Sequence, residues 1–596
     1  MTGQAEELSP PSVEHGWPPD GIAGEPAPAE VGAPGGQLTG RRLVTWLVVI
    51  AVGAGLLALL YAASVHAFPG DSDGATVALE GQTMSQGHMT LHGWAMSLDS
   101  FWTVDALFYL VAVGLGGLSL GLLHFVPAVI AVLVIGVGAY MAAEGSRRAG
   151  AVVGPLVVVA LLGFPTHTMA FFFLRGPLHV GTALWSMLAF LGVRRGRFGW
   201  GLVAAIVLLA AGMLGDLQAL ALGVVPIFLA GLVAMARSRS WRGGAAAVAA
   251  APASIVLALA VRALVKKVGT FSIAKANPRA SAHQVLLNLH TAVTETAQLF
   301  GVTSRDFGTG GTPTWLQDVH VAGLVIVLVT GLSAVVALVL GALRGQGTSG
   351  GWPPTSMFSA ARPALGELAP FKSVPWRRAK VEPPEQWRLD DLLTIACFAP
   401  PATYVVLALG NNVQYGRYLT DGVVFSSILA GRLVGRFVTN LSWGGVRRIA
   451  GAGAAAVALA LAAAFAAGTG YTIAQPAPVQ TADQLATFLE SHHLDVGLAS
   501  YWSANITTVA SGGRVRVRAV VASDGKLVRY DRQSPASWYA GTRFHFLVYD
   551  LQIPWGDVTY QTGVATWGRP THFYAVGPYR VLVWSKPISV STRGAT

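Results

Sequence analysis

Two carboxylates separated by a single residue follow the first long apolar run of the sequence. They lie in the segment Phe68-Pro-Gly-Asp71-Ser-Asp73-Gly. At a membrane surface, the lowered dielectric and mutual repulsion raise the pKa of one member of such a pair. A carboxylate with a raised pKa can accept the proton of a sugar hydroxyl at neutral pH. We therefore predict that Asp73, or Asp71 in its place, is a catalytic base, and that a divalent cation such as Mg²⁺ or Mn²⁺, if the protein uses one, binds this pair.

The same pair also has a structural interpretation. In an extended segment the side chains at positions i and i+2 face one side and can act together, whereas in a helix they diverge. In the helical case Asp73 would be the N-cap of an interfacial helix that runs to about Gln86. The residue types do not decide between catalysis or metal binding on one hand and capping on the other, so both interpretations stay open.

Arg417, Arg175 and His179 are the candidates for binding a phosphate on the external side. An arginine makes bidentate contacts with phosphate oxygens and does not lose its charge. Snorkelling at the membrane interface, or capping of a helix, is the alternative role for these residues.

Asp216 and Gln218 lie between two apolar runs. A charged side chain at the centre of a membrane span costs about 2.5 to 3.5 kcal/mol, so Asp216 should line a cavity or lie at the interface. We predict that Asp216 and Gln218 bind substrate. For Asp216, the alternative is a turn cap between two spans.

The elements that position these residues must be membrane helices. Hydrophobic residues make up 53% of the 596 residues, and charged residues only 12%, against roughly 25% in an average soluble protein. Apolar runs of about 20 residues recur along the chain, as expected of a polytopic α-helical membrane protein. The net charge of +11 is interpreted as positive charge kept in cytoplasmic loops, and no nucleic-acid partner is expected.

The apolar runs and the positions of the basic residues predict three parts of the chain. Residues 1–40 are a disordered cytoplasmic tail, 41–470 form the transmembrane domain, and 471–596 form an extracytoplasmic α/β or mainly β domain. The transmembrane domain contains a first external loop at 67–104, a long external loop at 269–318 and a cytoplasmic loop at 344–390. We predict 11 spans, with one of the runs 105–123 and 125–143 not crossing fully, or otherwise 13.

Three features together resemble the membrane glycosyltransferases of the GT-C superfamily. The first is Asp71-Ser-Asp73 placed just beyond the first span and followed by an amphipathic stretch to Trp102. The second is Gln414-Tyr-Gly-Arg417-Tyr418-Leu419, which is similar to an element opening a late span in protein mannosyltransferase-like and aminoarabinose transferase-like members. The third is an external domain after the last span.

The resemblance implies an enzyme that moves a sugar from a polyprenyl-phosphate donor to a glycan, lipid or protein acceptor, at the outer face of the cytoplasmic membrane and with inversion at the anomeric carbon. Asp73 or Asp71 would deprotonate the acceptor, and Arg417, with Arg175 or His179, would stabilise the departing phosphate. The remaining residues predicted to contact substrate are Asp216, Gln218 and Tyr418, of which Tyr418 belongs to the second motif.

Two other classes of function stay open at this stage. A secondary transporter or lipid flippase would also be polytopic with ionisable residues at depth, and it should show internal repeats. A noncatalytic envelope scaffold would use the terminal domain for binding. The aromatic pairs Tyr501-Trp502 and Trp538-Tyr539 of that domain could stack on sugar rings, although a buried aromatic core is the favoured interpretation.

Overall fold

The structure is a computed structural model that describes residues 36–147, 149–194, 198–273, 279–303, 312–344, 389–407, 416–440, 444–591 and 594–595. Residues 1–35 of the predicted tail, most of the predicted loop 344–390, and Gln414 of the second motif lie outside the described residues. The first helix begins at Gly36, inside the segment that was predicted as a tail.

The first part of the described chain is helical. Its helices, in chain order, are α1 (Gly36–Ala67), α2 (Ser72–Ser85), α3 (Asp105–Gly116), α4 (Leu122–Ala143), α5 (Gly150–Val158, continued by a π turn at Val159–Gly163), α6 (His167–Phe173), α7 (Val180–Val193), α8 (Trp200–Gly215), α9 (Val225–Ser238, preceded by a π turn at Leu220–Val224), α10 (Ala245–Val268), α11 (Ala282–Leu299), α12 (Thr314–Arg344), α13 (Leu389–Val406), α14 (Arg417–Asn440) and α15 (Gly444–Ala474).

Eight helices of the described residues are long and apolar enough to cross a membrane, or nine if the pair α5 and α6, bent by 88°, forms one span. The helices α3, α7 and α8 are apolar but shorter. At 1.5 Å per residue, α3 is about 18 Å long and cannot cross about 30 Å of hydrocarbon. Since α4 is long enough, this agrees with the interpretation that one of these two runs does not cross fully. The predicted range of 11 to 13 spans is reached only if the shorter helices are counted as well.

Glycines set the position of α14 against α5. A Cβ at Gly154 would lie 2.9 Å from the carbonyl oxygen of Gly431, and one at Gly435 would lie 2.7 Å from that of Gly150. The two helices therefore approach backbone to backbone through small residues that are four positions apart. Membrane helices often associate by such close packing, because lipid provides no hydrophobic driving force between them. Arg417 is the first residue of α14, so the packing of this helix against α5 determines the direction in which its backbone is presented.

The residues after α15 form an α/β unit. Its elements are α16 (Thr481–Ser491), β3 (Val496–Ala499), α17 (Tyr501–Ala510), β4 (Arg516–Ser523), β5 (Lys526–Tyr530), β6 (Ser534–Pro535), β7 (Phe544–Asp550), α18 (Tyr560–Trp567), β8 (His572–Val576), β9 (Tyr579–Ile588) and β10 (Gly594–Ala595). The seven-stranded sheet has the order β10-β5-β4-β3-β7-β9-β8. Its central strand β3 is parallel to both neighbours, β4 and β7.

A second, three-stranded sheet joins this unit to the two loops that the sequence predicts to be external. Strand β1 (Trp94–Met96) of the first of these loops pairs in parallel with β2 (Ser272–Ile273) of the long one and antiparallel with β6. The rings of Trp94 and Trp538 pack 5.0 Å apart beside it. Three segments distant in sequence are thereby held together on one side of the helices. The predicted architecture, a polytopic helical protein with a terminal α/β domain, is confirmed.

Candidate active site

Asp71 is the N-cap of α2. Its backbone is extended, with φ −133° and ψ 174°, and its Oδ1 accepts a hydrogen bond of 2.9 Å from the backbone N–H of Gly74. Its Oδ2 accepts a hydrogen bond of 2.5 Å from Nε of Arg175, and a second nitrogen of that guanidinium contacts the same oxygen. The capping interpretation was therefore right about the helix, which ends at the cap residue Gln86, but wrong about the residue, since the cap is Asp71 and not Asp73.

Asp73 lies in the first turn of α2, where its carboxylate is held by the terminal domain. The hydroxyl of Tyr501, the first residue of α17, donates a hydrogen bond of 2.5 Å to Oδ1 of Asp73. Burial, and then repulsion from Asp71, raise the pKa of Asp73, and the Tyr501 hydrogen bond together with Arg175 and Arg417 offsets part of that rise. The structure thus brings both carboxylates and both arginines of the sequence prediction into one neighbourhood.

Two hydrogen bonds join α2 to α17, and a third holds Tyr501 within the terminal domain. The first is the contact of Tyr501 with Asp73, and Tyr501 also forms a hydrogen bond with the side-chain amide of Gln533. One turn further along each helix, Nδ2 of Asn505 donates to Oγ1 of Thr76 at 2.8 Å, and both of these residues are buried. The carboxylate of Asp73 is therefore positioned by two helices that are more than 400 residues apart in the chain, and no local sequence pattern indicates this.

Arg417 keeps part of its hydrogen-bonding capacity free. Its guanidinium carbon lies 5.0 Å from the ring centroid of Tyr418, and one terminal nitrogen donates to the Tyr418 hydroxyl at 3.3 Å. Within the described part of the chain its buried Nε has no hydrogen-bond partner. An arginine that is stacked on an aromatic ring and still has a donor to offer suits an anionic ligand such as a phosphate.

A second polar cluster lies next to Arg417. Nδ1 of His179 and Oδ2 of Asp216 are 2.8 Å apart, and Asp216 also accepts hydrogen bonds from Thr182 at 2.5 Å and from the backbone N–H of Gln218 at 2.8 Å. Tyr418 stacks on the imidazole of His179, with ring centroids 5.0 Å apart. Of the predicted substrate-binding residues, Asp216 and Tyr418 thus contact His179 directly, and Gln218 joins them through its backbone.

The charges in this cluster depend on one another. Burial alone would lower the pKa of His179, but the Asp216 carboxylate outweighs burial and raises it. Burial alone would raise the pKa of Asp216, but His179 lowers it. Each residue therefore favours the charged form of the other. Burial, and then repulsion from Asp216, raise the pKa of a third residue, Asp99, to about 6.

Asp99, His179 and Asp216 form a group that could hold a metal ion, because each offers a ligand atom within 4.8 Å of the others. The buried Nε2 of His179 has no hydrogen-bond partner among the described residues. An ion shared by all three residues would take Nδ1 of His179 in place of its contact with Asp216, because Nε2 lies on the opposite side of the imidazole. Asp71 and Asp73 do not form such a group of three among the described residues, and Asp71 is engaged by the α2 cap and by Arg175.

Strained backbone surrounds this cluster. His179 has a φ of 72° and Phe101 a φ of 53°, and their rings pack 5.6 Å apart. Residues other than glycine are held in this region at a cost of about 1 to 3 kcal/mol, and they concentrate at functional sites. The backbone N–H of Phe101 donates to the carbonyl of Gly215 at 2.6 Å, which holds the first external loop, and with it Asp99, against the end of α8.

An apolar cavity of about 760 Å³ runs between α11, α12, α13 and α14. Its wall on α14 is formed by Leu419, Gly422, Val423 and Ser426. With 3.6 residues per turn, these positions lie on the side of α14 away from Arg417 and Asp421, and Arg417 is not one of the residues that line the cavity. The cavity could hold an apolar chain. The sequence analysis did not predict this cavity, because its walls come from helices whose runs are each uniformly apolar.

No family model matches the chain, and no curated protein matches it. Among solved structures, ArnT from Cupriavidus metallidurans in the apo state is similar with a TM-score of 0.51 at 12% identity, covering 93% of this chain and 100% of that one. ArnT is an aminoarabinose transferase of the GT-C superfamily. The chain has the GT-C fold. The predicted resemblance is thereby confirmed at the level of the fold.

Two further structures are similar at lower TM-scores. ArnT bound to undecaprenyl phosphate gives 0.48 at 12% identity, covering 92% of this chain and 99% of that chain. The Archaeoglobus fulgidus oligosaccharyltransferase in complex with Zn and sulfate gives 0.41 at 11% identity, covering 86% of this chain and 70% of that chain.

The candidate metal group can be tested by titrating the purified protein with Mn²⁺ and following free Mn²⁺ by electron paramagnetic resonance. We expect one bound ion and at least about tenfold weaker binding in Asp99→Asn and Asp216→Asn, since each loses an anionic ligand. Asp71→Asn, which also removes one carboxylate from this side of the protein, is the matched control and should bind as the wild type does. Loss of binding in Asp71→Asn, with binding retained in Asp99→Asn, would return the metal to the Asp71 and Asp73 pair.

Proposed function

We propose that this protein is a membrane glycosyltransferase that transfers a sugar from a polyprenyl-phosphate donor to an acceptor hydroxyl at the outer face of the cytoplasmic membrane. One observation carries the proposal: a carboxylate with a raised pKa, Asp73, lies within electrostatic range of the guanidinium of Arg417, which is the first residue of α14. The base and the phosphate-binding group are thus adjacent, and α14 also contributes to the wall of the apolar cavity. The proposal places the first external loop and the terminal domain outside and the N-terminus in the cytoplasm.

The donor is assigned from the cavity and from Arg417. An apolar cavity bounded by four helices binds hydrocarbon, and a buried guanidinium with a free donor binds the phosphate attached to it. Arg417 carries this role in preference to Arg175, because two nitrogens of Arg175 are already engaged by Asp71. His179 is likewise engaged by Asp216, so it contributes charge near the phosphate and not a direct contact.

The reaction follows from these positions. Asp73 accepts the proton of the acceptor hydroxyl as its oxygen attacks the anomeric carbon of the donor sugar. The bond between that carbon and the phosphate oxygen breaks, and polyprenyl phosphate leaves with one additional negative charge. Arg417 stabilises this charge, which is the kind of preorganised electrostatic effect that contributes most to many enzymatic accelerations. A single displacement inverts the anomeric centre.

The proposed reaction can use a divalent cation but does not require one. Asp99, His179 and Asp216 would hold the ion, and Asp421 is a further buried carboxyl on α14, four residues after Arg417. When bound, the ion would supply positive charge next to the leaving phosphate. The surplus of carboxyl groups over cationic groups in this part of the protein favours Mg²⁺ or Mn²⁺ as a partner.

The contact between Asp73 and the terminal domain favours a transferase over a transporter or a scaffold. A carrier that alternates its access would need this side to open widely, whereas α2 and α17 are joined by two hydrogen bonds, one of them buried. A scaffold would not require a carboxylate with a raised pKa at the same place. Whether the transferred sugar is a hexose or a pentose is left open by the proposal.

Replacing Asp73 by Asn should abolish transfer of a radiolabelled sugar from polyprenyl phosphate, with a loss of about 10² to 10⁴-fold, because the base is removed while the shape is kept. Asp71→Asn is the matched control. Asn caps helices as well as Asp does, so this variant should lose only the ion pair with Arg175 and retain measurable transfer. Thermal unfolding would verify that both variants fold. Equal transfer by both variants and the wild type would remove the catalytic assignment of Asp73.

The pH dependence of transfer tests the environment of the base. The rate should rise with pH as Asp73 loses its proton, and the midpoint should lie above the ordinary Asp range near 3.8 because the pKa is raised. In Tyr501→Phe the hydrogen bond that favours the charged carboxylate is lost, so the midpoint should move to higher pH. A shift to lower pH, or no shift, would contradict the role given to Tyr501.

Filling the cavity should weaken donor binding selectively. Leu328 lines the cavity and is 59% exposed, so Leu328→Trp adds bulk without overpacking a core. We expect the donor KM to rise about tenfold with little change in kcat, because the substitution should weaken binding equally in the ground state and in the transition state. Val329→Trp, at the next and equally exposed position of α12, is the control and should leave both constants unchanged. Equal effects of the two substitutions would exclude the cavity as the lipid site.

A further inference from the structure

Four aromatic side chains of the terminal domain lie beside the proposed catalytic base. The ring of Tyr501, whose hydroxyl binds Asp73, is 5.1 Å from the ring of Trp502, 5.3 Å from Tyr530 and 5.7 Å from Trp555. Tyr530 and Trp555 meet edge to face at 5.0 Å. We call these four residues the aromatic cluster. Since Tyr501 touches the carboxylate itself, the cluster lies directly next to the proposed catalytic base.

The sheet topology explains why these residues converge. In a sheet with parallel strands, ligands bind outside the carboxyl ends of the strands, where neighbouring connections run in opposite directions. Strand β3 is such a place, because it lies between its parallel neighbours β4 and β7. Tyr501 follows directly after β3, and the loop carrying Trp555 follows β7. The ligand-binding edge that this topology predicts is therefore the edge that faces Asp73.

The members of the cluster are not equally buried. Tyr501 is 4% exposed and is held by its two hydrogen bonds, as a structural residue would be. Trp502, Tyr530 and Trp555 remain partly exposed. Neither indole N–H of the two tryptophans has a hydrogen-bond partner in the described part of the chain. By contrast, Tyr539 of the other predicted aromatic pair is buried at 2% and packs in the sheet core, as expected.

We propose that the aromatic cluster is the acceptor subsite and that the acceptor is a carbohydrate, an inference that rests on the proposed function. A sugar ring has an apolar face of C–H groups and a polar rim of hydroxyls. The electron-rich faces of Trp and Tyr attract the C–H groups, and the two free indole N–H groups can donate to the rim. In this arrangement a ring packs against Trp555 and Trp502, and one of its hydroxyls reaches Asp73.

The alternatives are less well matched by the same residues. A peptide acceptor would need main-chain partners, yet β3 is paired on both sides. A diacyl lipid acceptor would need a continuous apolar surface, whereas the loop between Tyr530 and strand β6 carries Asp531, Arg532 and Gln533. A carbohydrate uses both the aromatic faces and these polar side chains.

The first test measures binding without catalysis. The full-length protein in nanodiscs is mixed with methyl glycosides of common hexoses and pentoses, and saturation-transfer NMR reports which sugars touch the protein. We expect at least one glycoside to bind and its affinity to fall about tenfold in Trp555→Ala, with partial retention in Trp555→Phe, which keeps an aromatic face. Phe573→Ala, at an exposed aromatic on β8 of the same domain, is the control and should bind as the wild type does.

The second test separates failure of this inference from failure of the proposed function. With the same variants, transfer from labelled polyprenyl-phosphate sugar is measured to the glycoside, to a short peptide containing Ser and Thr, and to vesicles containing diacylglycerol. Trp555→Ala should raise the KM for the glycoside about tenfold and leave the donor KM unchanged. If the wild type transfers only to peptide or to vesicles, or if Trp555→Ala behaves as the wild type in binding and transfer, the carbohydrate subsite is wrong while the transferase stands. If glycosides bind through Trp555 but no acceptor is ever modified, the proposed function is wrong and the binding site stands.

Discussion

A carboxylate that is largely withdrawn from water at one end of a helical bundle is the constraint on which the rest of this structure depends. Burying a carboxylate costs free energy unless hydrogen bonds and cations compensate it. For Asp73 the compensation comes from Tyr501 of the terminal domain and from Arg175 and Arg417 of the helical part. These residues come from segments far apart in the chain, so the site forms only when all of them have folded together.

The terminal domain therefore completes the site and is not an appended module. Its helix α17 contacts α2, and its strand β6 extends a small sheet made by two external loops. The backbone contact between α5 and α14 plays the corresponding part inside the bundle, because Arg417 is the first residue of α14. The contact between α2 and α17 thus positions Asp73, and the contact between α5 and α14 helps to position Arg417. In this way the α/β domain and the packing of the helical part each help to position one charged residue of the candidate site.

The sequence predicts the membrane helices and some residues of the candidate site, but not how distant segments meet there. Composition and apolar runs predicted the membrane helices, and the position of Asp71-Ser-Asp73 after the first of them predicted the carboxylates of the site. The spacing of that motif did not reveal which residue caps α2, since both aspartates suit an N-cap. Asp99 was missed because a single acidic residue in a polar loop carries no pattern. The contact between Tyr501 and Asp73 was missed because it depends on the carboxyl edge of a sheet meeting a distant helix, which no local sequence pattern indicates.

The central claim is that Asp73 and Arg417 face one bound lipid phosphate. The most direct measurement is a cryo-electron microscopy structure of the protein in nanodiscs with polyprenyl phosphate. The account predicts density for the phosphate against the Arg417 guanidinium, with its open side toward Asp73 and its chain in the cavity along α14. Phosphate density at another site, with Asp73 open to bulk solvent and remote from Arg417, would contradict it.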